Sequence, residues 1–170
     1  MTVPPDPLLA ALGVPASLAA DVIHTLQARK ETVATAESLT AGLLCGVLTT
    51  VPGASVAVRG GLVVYATELK TRLAGVSAEL LDEHGAVHPD VARELAVGAA
   101  ARCGATWGVG LTGVAGPDPQ DHVRPGRVYL GISGPATLRV DTIDLAGDRH
   151  AVRAGAVRTA LLELRQVLRG

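Results

Sequence analysis

Residues Thr32 to Thr50 set a β-prone run, a short polar turn and a small-residue helix one directly after another. A strand that feeds straight into a helix commits the chain to a sheet with helices laid against it. Thr32–Ala36 is the strand-like run, Ala41–Thr50 reads as the helix, and Pro52-Gly53 stops it. The same alternation runs on. Leu18–Ala28 has helical apolar spacing at Leu18, Val22, Ile23 and Leu26, with Ser17 placed to cap it. Val56–Tyr65 reads as a strand pair, or one long strand interrupted at Gly60-Gly61. Glu68–Leu73 reads as one helical turn and Ser77–His84 as a short helix. Pro89–Cys103 is a longer helix with Val91, Leu95 and Ala99 on one face. Trp107–Leu111 is a strand ending in Thr112-Gly113. Arg127–Ser133 and Thr137–Leu145 form a hairpin about Gly134-Pro135, and Asp148 caps a last helix reaching Leu168. The expected class is α/β, a mixed sheet with helices on both faces. Pro4, Pro5 and Pro7 predict an irregular arm over residues 1–14, which leaves 15–170 as a single domain.

Apolar residues make up 48% of the 170-residue chain, but aromatics only 2%, with no Phe. The core must therefore be built from Val, Leu, Ile and Ala. A formal net charge of −1, without a basic stripe, lacks the electrostatic footprint of a nucleic-acid binder. Cys45 and Cys103 sit in apolar stretches without CxxC spacing, so neither a disulfide framework nor a zinc site is expected. A reducing, cytoplasmic setting is the default. The first residues carry neither a charged n-region nor a long apolar run, so no secretory signal or membrane span is expected.

Ser38 lies where the first strand gives way to a helix, and there two readings stand open. Its hydroxyl can cap the helix, since Ser is a preferred cap. It can instead be a nucleophile, with free helix N–H groups ready for an oxyanion or phosphate. A nucleophilic Ser needs a base. The five His residues (24, 84, 88, 122 and 150) have no obvious relation to Ser38. Lys70 is the better candidate: only two lysines stand against thirteen arginines, and a Lys can give up its proton where an Arg cannot. A solvated Lys on a turn is the alternative. Tyr65, at the end of an apolar run, can relay or orient a proton, or pack at the edge of the core. Thr112-Gly113-Val114-Ala115-Gly116-Pro117 is a Gly-containing turn after a strand, able to approach a ligand closely or serve as an ordinary turn. Arg149 can grip a phosphate or stand solvated in the first turn of the last helix, with Arg153 a second choice.

Four blocks occur together in order: Thr35-Ala-Glu-Ser-Leu-Thr-Ala-Gly42, Gly60-Gly-Leu-Val-Val-Tyr-Ala-Thr-Glu-Leu-Lys70, Thr112-Gly-Val-Ala-Gly-Pro117 and Gly147-Asp-Arg149. In this the chain resembles the CinA C-terminal-domain family over residues 15 to 168. Stand-alone bacterial members of that family are nicotinamide-nucleotide amidohydrolases. The resemblance implies a three-layer α/β/α sandwich with a mixed β-sheet, and a homo-oligomer, a dimer first of all. It implies Ser38 as nucleophile, Lys70 and Tyr65 as its helpers, and substrate contacts from Thr112 with Gly113 and from Arg149. Donors around Thr40, Ala41 and Gly42 are expected to hold the oxyanion. Neither a metal nor a cofactor is implied. The expected reaction is deamidation of nicotinamide mononucleotide, and the alternative is a catalytically weak or inactive nucleotide-binding sensor. The partner is a small nucleotide, with no nucleic acid and no membrane. One departure bears on the site: Ala41 stands where the family commonly has Gly, and its methyl group is expected to tighten the oxyanion or phosphate corner.

Overall fold

A computed structural model describes residues 6–170. A five-stranded sheet in the order β2-β1-β3-β4-β5 runs through the middle of the structure. Its parallel part is β1 (Val33–Glu37) between β2 (Val58–Val63) and β3 (Trp107–Gly113). The hairpin β4 (Arg127–Gly134) and β5 (Thr137–Asp144) extends it antiparallel from β3. The sheet is thus mixed. Gly60-Gly61 does not split β2 in two; it pairs with Ala34 and Thr35 in one edge strand, just after a register shift at Arg59.

Strand residues alternate between faces, and this sorts the core into two layers. Val33 joins Trp107, Val109 and Leu111 against α1 (Pro7–Leu12), α2 (Ala16–Arg29), α3 (Leu43–Thr49) and α7 (Arg149–Arg169). Ala34 and Ala36 face the other way, towards α4 (Thr67–Ala74), α5 (Ala78–His84) and α6 (Pro89–Cys103). This is the α/β/α sandwich. Alternation leaves Gly108 and Gly110 on the α6 side of β3. A Cβ at Gly108 would overlap the Ala96 carbonyl oxygen, and one at Gly110 would crowd Ala92. Bare backbone at both positions lets α6 lie close on the sheet, and the next residue on that face, Thr112, is drawn in beneath it.

The helix ends follow from local chemistry. Pro89 occupies the first turn of α6, where its missing N–H costs nothing, and Gly104 closes the helix at φ 60°. Asp148 caps α7, accepting from the Ala151 N–H at 2.8 Å. Two expectations are corrected. Residues 7–12 are helical, not an irregular arm. Pro7 sits at the start of α1 behind Asp6, which accepts from the Leu8 N–H at 2.8 Å, while Leu9 and Leu12 are buried in the core. Residues 1–5 of the expected arm lie outside the described residues. Ser17 does not cap α2: the helix begins at Ala16, one residue earlier, with Pro15 at its cap position.

Candidate active site

The carboxyl ends of the three parallel strands all open on one edge of the sheet, where open α/β sheets place their ligand sites. β1 delivers Ser38, β2 runs out into Val64 and Tyr65, and β3 ends at Thr112 and Gly113. Backbone bonds tie the exits together: the Ser38 N–H donates to Leu111 O at 2.9 Å, and Val64 N–H to Glu37 O at 2.9 Å. Ser38, Leu39, Tyr65, Ala86, Thr112, Gly113 and Arg149 are among the residues lining the resulting cleft.

The expected helix starts late. Ala41 and Gly42 both take left-handed backbone, at φ 49° and 92°, so α3 begins only at Leu43. Ser38 does not cap it. The cap is Glu37, which shares the face of β1 that looks towards α3. Its wholly buried carboxylate accepts from Gly42 N–H (3.2 Å), Leu44 N–H (3.0 Å), Cys45 N–H (2.9 Å) and the Thr35 hydroxyl (2.9 Å). A negative charge at a helix N-terminus is stabilised by the unpaired N–H groups and the dipole. Glu37 thereby holds the turn and leaves Ser38 free for other work.

The donors expected around Thr40, Ala41 and Gly42 are therefore not all open. Gly42 N–H goes to Glu37 and Ala41 N–H to Ser38 O at 3.1 Å. Among the described residues, the Leu39 and Thr40 amides are the ones in this turn with no acceptor. Neither Thr40, Ala41 nor Gly42 lines the cleft; Leu39 does. The Ala41 side chain is exposed, so its methyl group does not tighten the oxyanion corner. Its cost is in the backbone, since left-handed conformation is unfavourable for an L-residue by on the order of 1 kcal/mol. Ala41→Gly is expected to stabilise the fold by about 0.5–1 kcal/mol, raising Tm by roughly 2 °C. A melting curve that falls instead would show that Ala41 makes a contact worth more than this strain.

Lys70 reaches back from α4 to Ser38. Its Nζ donates to Ser38 Oγ at 3.1 Å, Val64 O at 2.8 Å and Tyr65 O at 3.4 Å. Only 1% of the residue is exposed. Burial pushes the amine down to about 8, against the opposing pull of the Asp121 and Glu68 carboxylates. A neutral amine has two N–H groups and one lone pair. With the two carbonyls taking the N–H groups, the lone pair is left for the Ser38 hydroxyl.

The Tyr65 hydroxyl stands elsewhere. It accepts from Arg149 Nη2 at 2.8 Å, and it is the Tyr65 carbonyl that meets Lys70. Arg149 also donates to Gly116 O at 2.9 Å, which tethers its guanidinium at the cleft. Thr112 donates its hydroxyl to Ala86 O at 2.6 Å and keeps its lone pairs for a ligand. Two residues escaped the sequence reading, and a third was given another role. Glu37 carried no signal beyond its place beside Ser38. Asp121, at φ 49°, accepts from Ala86 N–H at 2.7 Å and sets part of the field at Lys70. Arg153, the second choice for a phosphate, instead donates to the Leu39 and Thr40 carbonyls after Ser38 and does not line the cleft. Among the described residues no three His, Cys, Asp or Glu side chains gather as a metal site, and no helix is long and apolar enough to cross a membrane.

The family model described as CinA C-terminal domain matches residues 15–168. This chain belongs to the CinA C-terminal-domain family. A CinA-like protein from Frankia casuarinae is 46% identical over 93% of the chain, and one from Anaeromyxobacter sp. strain K is 47% identical over 87%. The chain spans 36% of the length of each. Among solved structures, a competence/damage inducible protein from Agrobacterium tumefaciens superposes over 100% of both chains, with TM-score 0.87 and 31% identity. A competence-damaged protein (CinA) superfamily protein from Klebsiella pneumoniae gives TM-score 0.87 at 30% identity, over 91% of this chain and 97% of that one. These CinA structures share the α/β/α sandwich.

Proposed function

We propose that this CinA-family chain is an amidohydrolase that converts nicotinamide mononucleotide to nicotinate mononucleotide and ammonia, with Ser38 as nucleophile and Lys70 as base. One observation carries the reading: a buried amine, lowered to about 8, lies 3.1 Å from a serine oxygen that opens on a cleft. A base poised near the working pH is what general-base catalysis asks for.

The steps follow from that geometry. Neutral Lys70 takes the Ser38 proton as Oγ bonds to the carboxamide carbon. The Leu39 and Thr40 amides stand nearest in the chain to receive the oxyanion, each such donor being worth about 3 kcal/mol. The protonated Lys70 returns the proton to the leaving nitrogen as the C–N bond breaks and ammonia departs. Water, deprotonated by the same amine, then opens the ester and restores Ser38. Tyr65 helps by holding Arg149, and through its carbonyl by orienting Lys70. Arg149 has N–H groups beyond the two in use and binds the phosphate as a planar fork. Thr112 and Gly113 form the wall against the nucleotide.

The test is ammonia release from nicotinamide mononucleotide by the purified protein, beside nicotinamide and the unphosphorylated riboside. Release from the mononucleotide alone supports the reading and the phosphate role of Arg149. Tight nucleotide binding without ammonia would make the protein a sensor, and release from an unrelated amide would move the substrate. A homodimer is expected on the same reading, measurable by light scattering, working in the cytoplasm on a small nucleotide.

A further inference from the structure

We propose that Arg153 is a positioning residue of this site, holding the Leu39–Thr40 peptide in the orientation that offers the amide edge of the turn, not its carbonyl edge, to the oxygen of the reacting carboxamide. The proposal rests on Ser38 acting as the nucleophile, as above.

The backbone bonds of the turn are accounted for one by one. Ser38 N–H is tied to β3, Ser38 O accepts from Ala41 N–H, and Thr40 O accepts from Leu43 N–H at 3.0 Å. Glu37 holds the amides of Gly42, Leu44 and Cys45. The peptide between Leu39 and Thr40 is left without a backbone partner on either side. Its carbonyl is taken by Arg153, whose Nε donates to Leu39 O at 2.9 Å, while Nη2 reaches Thr40 O at 3.5 Å. A planar guanidinium on two successive carbonyls fixes direction as well as position.

In a trans peptide the C=O and the following N–H point to opposite sides. Leu39 C=O turned towards Arg153 therefore turns Thr40 N–H away from it. That amide has no acceptor among the described residues, and the Thr40 hydroxyl is also buried without a partner. Buried polar groups are rarely left so, and where they persist the surroundings hold them in place. A donor kept unpaired until charge develops is what an oxyanion site requires. Without Arg153, no hydrogen bond holds the Leu39 carbonyl in that direction, and a turned peptide would present a carbonyl oxygen instead. Arg149 and Arg153 lie four residues apart on α7, hence on one face of it. A single helix thus carries both the tether at the cleft and the clamp on the nucleophile turn.

The experiment reads two signals in wild type, Arg153→Lys and Arg153→Ala, each first shown to be folded by thermal melting. One is ammonia release from nicotinamide mononucleotide. The other is the rate at which a fluorophosphonate labels Ser38, followed by mass spectrometry of the peptide, which needs the oxyanion donors but not the true substrate. Arg153→Ala is expected to lower kcat about 100-fold, with KM unchanged and labelling slowed in proportion. The pH midpoint stays where Lys70 sets it. Arg153→Lys, a point charge able to meet one carbonyl, is expected to fall between and to serve if the Ala variant does not fold. Labelling of wild type without ammonia release would discard the substrate and leave the clamp to be judged by labelling alone. A rise in KM at constant kcat would make Arg153 a substrate anchor and overturn the proposal. So would unchanged labelling in a folded variant, or a wild type that neither turns over nor labels.

Discussion

Ser38→Ala is expected to lower ammonia release by at least about 10⁴-fold, as removal of a nucleophile from an acyl-transfer site does. The fold should tolerate it. Ser38 holds the turn through its backbone, by N–H to Leu111 O and by its carbonyl to Ala41 N–H, and neither bond involves Oγ. The variant keeps the cleft and Arg149, so nucleotide affinity should stay close to that of wild type. Calorimetric titration beside the ammonia assay separates the two properties. A Ser38→Ala variant that still turned over would mean that water attacks directly, and Ser38 would become a wall residue.

The second large effect is expected at Lys70. Lys70→Arg keeps the charge and much of the length, but a guanidinium does not lose its proton at accessible pH. Loss of the base is expected to cost 10²–10⁴-fold, roughly, in kcat, with little change in KM. Full activity in this variant would remove Lys70 from the base role. In wild type, kcat/KM should climb with pH and level off above about 8, where Lys70 is neutral. Stability carries the same signature. The Lys70 pKa in the fold, about 8, lies below its ordinary value of 10.5. Between these values the unfolded chain binds more protons than the folded one, so this group adds stability as pH rises through that window. Below 8 both forms are charged and the full cost of burying the ammonium is present. Lys70→Met should lack the rise between 8 and 10.5, which melting curves across that range would show.

Why Lys70 is buried at all can be argued from its surroundings. A lysine on an eight-residue helix would ordinarily extend into solvent. Here the Val64 and Tyr65 carbonyls, left bare where β2 ends, need donors, and the amine supplies them. The cost of desolvating a charge is thus partly offset by two hydrogen bonds, and the remainder appears as a pKa lowered to about 8. On the proposed mechanism this is stability given up for function.

Much of this was legible in the residues. Pro89 opens α6, and its apolar face at Val91, Leu95 and Ala99 is buried as the spacing implied. Asp148 caps α7, and the hairpin turns where Gly134-Pro135 stands. The scarcity of Lys pointed to Lys70 before its contact with Ser38 was visible. What was not legible is tertiary. The start of α3 depends on a carboxylate arriving from the preceding strand, and helical composition at Ala41-Gly42 gave no hint of left-handed backbone. Pro7 looked like a helix breaker, yet at the first helical position proline is favoured, and Asp6 was there to be read as its cap. Arg153 meets Leu39 across a sequence separation of 114 residues, and nothing local to either residue announces the contact.

The most direct test of the mechanism is mass spectrometry of the protein quenched during turnover of nicotinamide mononucleotide. A nucleotide acyl ester is expected on the peptide that carries Ser38, trapped when turnover is stopped by acid before water opens it. Steady ammonia release with no adduct, or with an adduct on any other residue, would contradict it.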